Sequence, residues 1–250
     1  RVHRRQRQMC IRDSKKIIDL NALANDFYVK NLLKDGNESK VKNYLLNRGI
    51  NEETIKTFQI GFAPEGWDNL STFFKKNLDS EAQKIDAGLF KTSEKNNRVY
   101  DVFRNRIIFP IKSHRDQIIG FGGRVIDSSD NPKYLNSSDS EVFKKGRELY
   151  GLSEILKNKK RADRIIVVEG YTDVLSLFSN DIRYAVATLG IATSKVHIDK
   201  LFTHVDEIIF CFDGDEAGVK AAESALNTGL SGLRDGKKIR FMFLPQGEDP

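Results

Sequence analysis

Two patterns of hydrophobic and polar positions divide this 250-residue chain. In its first part apolar residues recur three and four apart, in NALANDFYVKNLL (21–33) and VKNYLLNRGI (41–50), which predicts two amphipathic helices with Gly49 as a stop. GFAPEGWDNLSTFFKKNL (61–78) predicts a turn and another helix, with Trp67 and the phenylalanines serving as packing. From Val99 the period shortens. RIIFPI (106–111) and QIIGFGGRVI (117–126) predict strands joined by the polar turn KSHRD in an antiparallel hairpin. Gly120, Gly122 and Gly123 weaken such a strand unless a bulge is wanted or something, a ligand for instance, must approach the backbone. DSSDNPKYLNSSDS (127–140) reads as a polar loop and SEVFKKGRELYG (140–151) as a short helix and turn.

After Lys160 the chain alternates regularly. Short apolar runs RIIVVEG (164–170), YAVATLG (184–190), EIIFCFDGD (207–215) and KIRFMFLP (238–245) are separated by helix-like TDVLSLFS, SKVHIDKLF and AGVKAAESALN. That order predicts a parallel sheet covered by helices. Ligands of open sheets bind beyond the carboxyl ends of the strands, and acids sit there. Glu169 ends the first run, Asp213 and Asp215 end the third, and Glu248 with Asp249 follows the fourth. A carboxylate gains nothing by packing at the end of a buried strand. Gathered on one rim, such charges raise one another's pKa values or are neutralised by a cation, and hard oxygen donors suit Mg2+ or Mn2+. Alternation along DGD directs Asp213 and Asp215 to one side if the strand continues, with Gly214 and Gly218 allowing close approach.

Composition changes the picture little: 39% hydrophobic and 30% charged residues are ordinary for a soluble globular protein. No apolar run is long enough to cross a bilayer and the first residues lack a secretion signal, so a cytoplasmic protein with no membrane partner is expected. Cys10 and Cys211 stand alone, which argues against a disulfide framework and a zinc site; Cys211 reads as a core thiol, and His3, His114, His197 and His204 as structural. The net charge of +6 is unevenly spread. Residues 1–14 carry +4, resemble a tag more than a folded element, and are left out of the fold prediction; residues 15–160 carry +6 and residues 161–250 carry −4.

The glutamate after one strand and D-x-D after another resemble a Toprim domain, the metal-binding module of bacterial primases, topoisomerases and some nucleases. The preceding half selects among them. YDVFRNRIIFPI, IIGFGGRVI, PKYLNSSDSEVFKKGRELYGL, VVEGYTDVLSL, CFDGDEAGVKAA and FLPQGEDP occur in the order found in the RNA polymerase core of bacterial DNA primases of the DnaG type. The resemblance covers roughly residues 15–250. It implies an enzyme, a nucleotidyltransferase that makes short RNA primers on a single-stranded DNA template from ribonucleoside triphosphates, with Mg2+ or Mn2+, at the bacterial replication fork. By motif, Glu169, Asp213 and Asp215 are the catalytic acids, joined by Asp249 at the metal. Arg104, Arg106, Arg124, Lys133 and Lys145 match the basic face expected to hold template or triphosphate.

The resemblance further implies a mixed α+β subdomain over 15–157 followed by a Toprim domain over 158–250. Family members also carry an upstream zinc domain, further core helices, and a tail that meets the replicative helicase; none of these is found in this sequence, and Gln246 stands where Asp is common. Two alternatives remain. One is another Toprim phosphodiester-transfer enzyme, which the primase-like first half disfavours. The other is a non-catalytic single-stranded DNA binding module, which leaves Glu169 and DGD without a purpose.

Overall fold

The computed structural model describes residues 2–34, 37–77, 87–126, 132–157 and 162–245. The chain divides into two compact units. One comprises Arg1–Asn47, Ile55–Ile111 and Gln117–Phe143; the other comprises Arg48–Thr54, Lys112–Asp116 and Lys144–Pro250.

In the first unit, helices α1 (Val2–Leu32) and α2 (Asn37–Asn47) precede β1 (Gly61–Ala63) and α4 (Asn69–Asn77); between them in sequence, α3 (Glu52–Thr57) has Glu52–Thr54 in the second unit and Ile55–Thr57 in the first. Strands β2 (Phe90–Thr92) and β3 (Val99–Asp101) form a small antiparallel pair. A four-stranded sheet in the order β1-β4-β5-β6 contains β4 (Arg106–Lys112), β5 (Ile118–Val125) and β6 (Tyr134–Asn136). Ile17, Leu20, Ala24 and Tyr28 make one stripe of α1 and share a core with Phe74, Phe103, Ile108 and Phe121. Gly49 ends its segment at φ 73°.

Four expectations for residues 1–150 need correction. The backbone of α1 is helical from Val2 onward, through residues left out of the fold prediction. Arg, Gln and Met propagate a helix at little cost, and the packed stripe downstream supplies the nucleus. Second, the loop after β5 contains a strand, because Gly122 and Arg124 pair with Asn136 and Tyr134. Third, the β5 glycines make room for the protein's own rings: a Cβ at Gly123 would lie 2.8 Å from Phe103, and one at Gly120 would lie 3.3 Å from Phe143. Fourth, residues 140–150 form no helix; a turn covers residues 145–147.

In the second unit, α5 (Leu152–Lys157), β7 (Arg164–Val168), α6 (Tyr171–Ser179), β8 (Ala185–Ala187), α7 (Lys195–Phe202), β9 (Glu207–Phe212), α8 (Glu216–Gly232) and β10 (Lys238–Phe243) follow in sequence. The sheet has the order β10-β9-β7-β8, and every pair is parallel. Ile165 to Val168 are all buried, as an apolar run without alternation requires when both faces of a strand are covered. Ile165, Val167, Ile208, Phe210 and Phe212 pack with Ile198, Leu201, Ala222 and Ala225 from α7 and α8. Cys211 is a buried free thiol. Among the described residues no helix is long and apolar enough to cross a membrane.

One buried acid ties β3 to α4. Asp101, 2% exposed, accepts hydrogen bonds from the Leu70 and Ser71 amides at 2.7 and 3.0 Å, capping the helix from a distant strand. Burial pushes its carboxyl up to about 6, with Asp68 adding to the rise and the two amides and Arg104 opposing it. The native state therefore holds this proton where the unfolded chain has lost it. Its contribution to stability is complete below pH 3.8 and is lost as pH rises through about 6. Thermal melts should lose roughly 2–3 kcal/mol of stability from this group over that window. Asp101→Asn should flatten that segment of the profile, and an unchanged slope in the variant would remove Asp101 as its source.

Candidate active site

Parallel pairing of β7 with β9 places their carboxyl ends side by side. Glu169 follows β7 directly and Asp213 follows β9 directly, so two acids 44 positions apart in sequence share one rim. The Glu169 carboxyl is raised above the ordinary carboxylate range. Partial loss of hydration is the leading cause, followed by the charges of Asp213, Asp173 and Asp215; a hydrogen bond from the Asp213 amide opposes the rise. Every charge that shifts Glu169 is thus negative. The opposite edge of the sheet is different: there Glu207 is met by Arg164 at 3.5 Å and Arg240 at 2.6 Å.

The turn between Asp213 and α8 departs from the expected continuing strand. β9 ends at Phe212, and Asp215 is the N-cap of α8, its Oδ1 accepting from the Gly218 amide at 2.7 Å. The helix N-terminus attracts a carboxylate by hydrogen bonding and by its dipole, and this claims one oxygen of Asp215. Gly218 is required here for space: a Cβ would lie 2.1 Å from the Asp213 carbonyl oxygen. Asp173, which sequence analysis passed over, is held similarly, its Oδ2 accepting from the Gly170 amide at 2.8 Å at the start of α6. An acid three residues beyond a helix start was the available signal.

Among the described residues no group of three or more His, Cys, Asp and Glu side chains is arranged to hold a metal ion. The donor set nevertheless suits a hard divalent cation, because it consists of carboxylate oxygens under mutual repulsion. Asp249, with Glu248 and Gln246, lies outside the described residues.

The expected basic residues occupy different settings. Arg104, half-buried, lies 4.3 Å above the Trp67 ring and 5.4 Å from that of Tyr100, and donates to the Asp101 carbonyl. Trp67 is 65% exposed, so the expectation that it packs inside is corrected: its ring is a platform at the edge of a cleft lined by Glu65, Arg104, Arg106 and Pro132. Arg106 is buried and donates to the Pro132 carbonyl at 2.7 Å. Arg124 is also buried, donating to the Tyr134 hydroxyl and lying between the rings of Tyr134 and Tyr44 at 4.9 and 5.4 Å. Lys133 is exposed. These four belong to the first unit and Lys145, half-buried, to the second, as do the acids.

Comparison with known proteins identifies the family. Residues 27–156 match the N-terminal domain of the DNA primase catalytic core, and residues 163–242 match a Toprim domain. The chain is 48% identical over 227 residues to the DNA primase of Pseudomonas putida, an alignment covering 91% of this chain and 34% of that protein. The chain thus spans about a third of the length of that relative. A DNA primase domain from Pseudomonas aeruginosa has a similar crystal structure, with a TM-score of 0.88 and 48% identity, over 93% of this chain and 72% of that one. A DnaG primase catalytic domain bound to single-stranded DNA also gives 0.88, at 44% identity, over 96% and 76%.

The tight turn makes a direct prediction. Gly218→Ala must push the Asp213 carbonyl aside, which should cost about 1–3 kcal/mol of stability and lower the melting temperature by roughly 3–10 °C. A melting temperature within about a degree of the parent protein would show that the turn yields freely.

Proposed function

This chain belongs to the DNA primase catalytic-core family, and from that membership we propose that it performs DNA-templated nucleotidyl transfer. It would join ribonucleoside triphosphates into short RNA primers on single-stranded DNA, in the bacterial cytoplasm. The observation that carries this reading is that Glu169 and Asp213 each follow the end of one of two paired parallel strands, and that every charge shifting Glu169 is negative.

We assign Glu169, Asp213 and Asp215 to the catalytic metal site, with Asp249 as a further ligand and Mg2+ or Mn2+ as the cation. When bound, such an ion supplies charge neutralisation for the triphosphate and a lowered pKa for the attacking primer 3′-hydroxyl. The protein's own part is to hold oxygens in place. The β7 and β9 ends fix Glu169 and Asp213, and the Gly218 turn fixes the backbone of Asp213 while the α8 cap orients Asp215. Asp173 adds negative charge to the same rim, which strengthens cation uptake without requiring it to be a ligand.

Phosphate contacts are assigned to the accessible cations. Lys133, Lys145 and Arg104 can meet template or triphosphate, and Trp67 beside Arg104 offers a face on which a base can stack. Arg106 and Arg124, being buried, are assigned to shaping the surface of the first unit.

Incubating the protein with single-stranded template, Mg2+ or Mn2+ and labelled ribonucleotides should yield template-dependent oligoribonucleotides. Asp213→Ala should reduce product about 100-fold or more, since charge stabilisation by a metal is worth several kcal/mol, while leaving DNA affinity nearly unchanged. Equal synthesis by the variant would overturn the assignment. DNA binding without product from the unsubstituted protein would favour a binding module.

A further inference from the structure

Residues 144–148, KKGRE, carry three basic side chains on a turn that belongs to no helix or strand. Three like charges beside a glycine favour many conformations over one, and a cation that must meet phosphate gains affinity from being held in advance. Helix α7 supplies the restraint. The Ser194 hydroxyl donates to the Gly146 carbonyl at 2.8 Å, His197 Nε2 lies 3.3 Å from the Lys145 carbonyl, and Lys200 pairs with Glu148 at 2.9 Å. Residues 194, 197 and 200 recur every three positions, so one face of the helix start grips three consecutive parts of the loop.

His197 is the pivot of that grip. It is 0% exposed, and its Nδ1 accepts from the Ser194 amide at 3.2 Å. An accepting Nδ1 leaves the ring proton on Nε2, so the neutral imidazole donates to the Lys145 carbonyl. Both nitrogens are spent on backbone: one on the helix N-cap, the other on the loop. The histidine count and spacing in the sequence give no hint of this.

We propose that His197 is a positioning residue. Its buried neutral imidazole joins the α7 cap to the Lys145 carbonyl and thereby presents the Lys144–Arg147 loop as a preformed cationic site for phosphate, of a DNA strand or of a nucleoside triphosphate. The proposal rests on the assignment of Lys145 to phosphate contact made above.

The test compares binding of a fluorescent oligodeoxythymidylate and of ATP by the protein and by Lys145→Ala, His197→Leu, His197→Gln and Ser194→Ala, each over a range of salt. A glutamine amide places an acceptor and a donor about as far apart as the two imidazole nitrogens and is at home three residues after an N-cap. Lys145→Ala should weaken one ligand or both by roughly 3–10-fold and, for DNA, reduce the salt slope by about 0.7. His197→Leu should weaken the same ligand to a similar extent with the same change in slope, although it removes no charge. His197→Gln should restore binding to within about twofold, and Ser194→Ala, which leaves the buried site filled, should give a smaller loss. Melting curves identify any variant that fails to fold, and Ser194→Ala then carries the comparison. If Lys145→Ala weakens binding while the folded His197 and Ser194 variants match the parent, the positioning role is overturned. If Lys145→Ala changes neither ligand, the phosphate assignment itself falls, and the positioning role with it.

Discussion

Repulsion among carboxylates at the carboxyl edge of the parallel sheet is the constraint on which the rest of the second unit depends. At the amino edge, Glu207 is compensated by two arginines, as a structural acid would be. At the carboxyl edge, Glu169 is surrounded by Asp213, Asp173 and Asp215, and its carboxyl is driven upward. A fold gains no stability from that arrangement. Its cost is offset only if something positive arrives, and the strands, caps and turn around it are what keep the acids from moving apart in the meantime.

Those restraints are made chiefly of backbone, with the Thr172 hydroxyl also donating to Asp173 at 3.3 Å. Asp215 and Asp173 each bond an amide at the start of a helix, and the Glu169 carboxylate accepts from the Asp213 amide. Amide donors suit this purpose because they fix an oxygen without bringing a full positive charge that would compete with a cation. The same economy shapes the turn. Gly218 lets the first turn of α8 fold back onto the Asp213 carbonyl, so β9 and α8 meet with no slack between the two aspartates.

The sequence was legible where physics leaves few options. Unbroken apolar runs between helical segments admit little besides a covered parallel sheet, and an acid closing such a run has no packing reason to be there, which marked Glu169 and Asp213. Asp215 was only half legible, since a D-x-D spacing looks the same whether the strand continues or the second aspartate caps a helix. The β5 glycines announced a close approach but not its author, which proved to be Phe103 and Phe143. Trp67 reads as core because a tryptophan near an amphipathic helix usually packs inside, and its exposure depends on neighbours remote in sequence. His197 could not have been found by spacing, because its partners are backbone groups and carry no residue signature.

The basic residues obey a complementary rule. Arg124 is held by a phenolic oxygen and two aromatic faces, groups that orient a guanidinium without cancelling its charge. Arg104 likewise lies over Trp67, although the Asp101 carboxyl is near enough to feel its charge. Guanidinium is planar and weakly hydrated, so it tolerates such settings, whereas the buried ammonium of Lys112 is met by the Glu154 carboxylate. That explains why arginines occupy the buried and stacked positions while Lys133 remains in water and Lys145 stands half-buried on a tethered loop. At Asp173, Asp215 and Arg124, then, a charged side chain is oriented by amide dipoles, a phenolic oxygen or aromatic faces, whereas Glu207 at the far edge is met by full opposite charges.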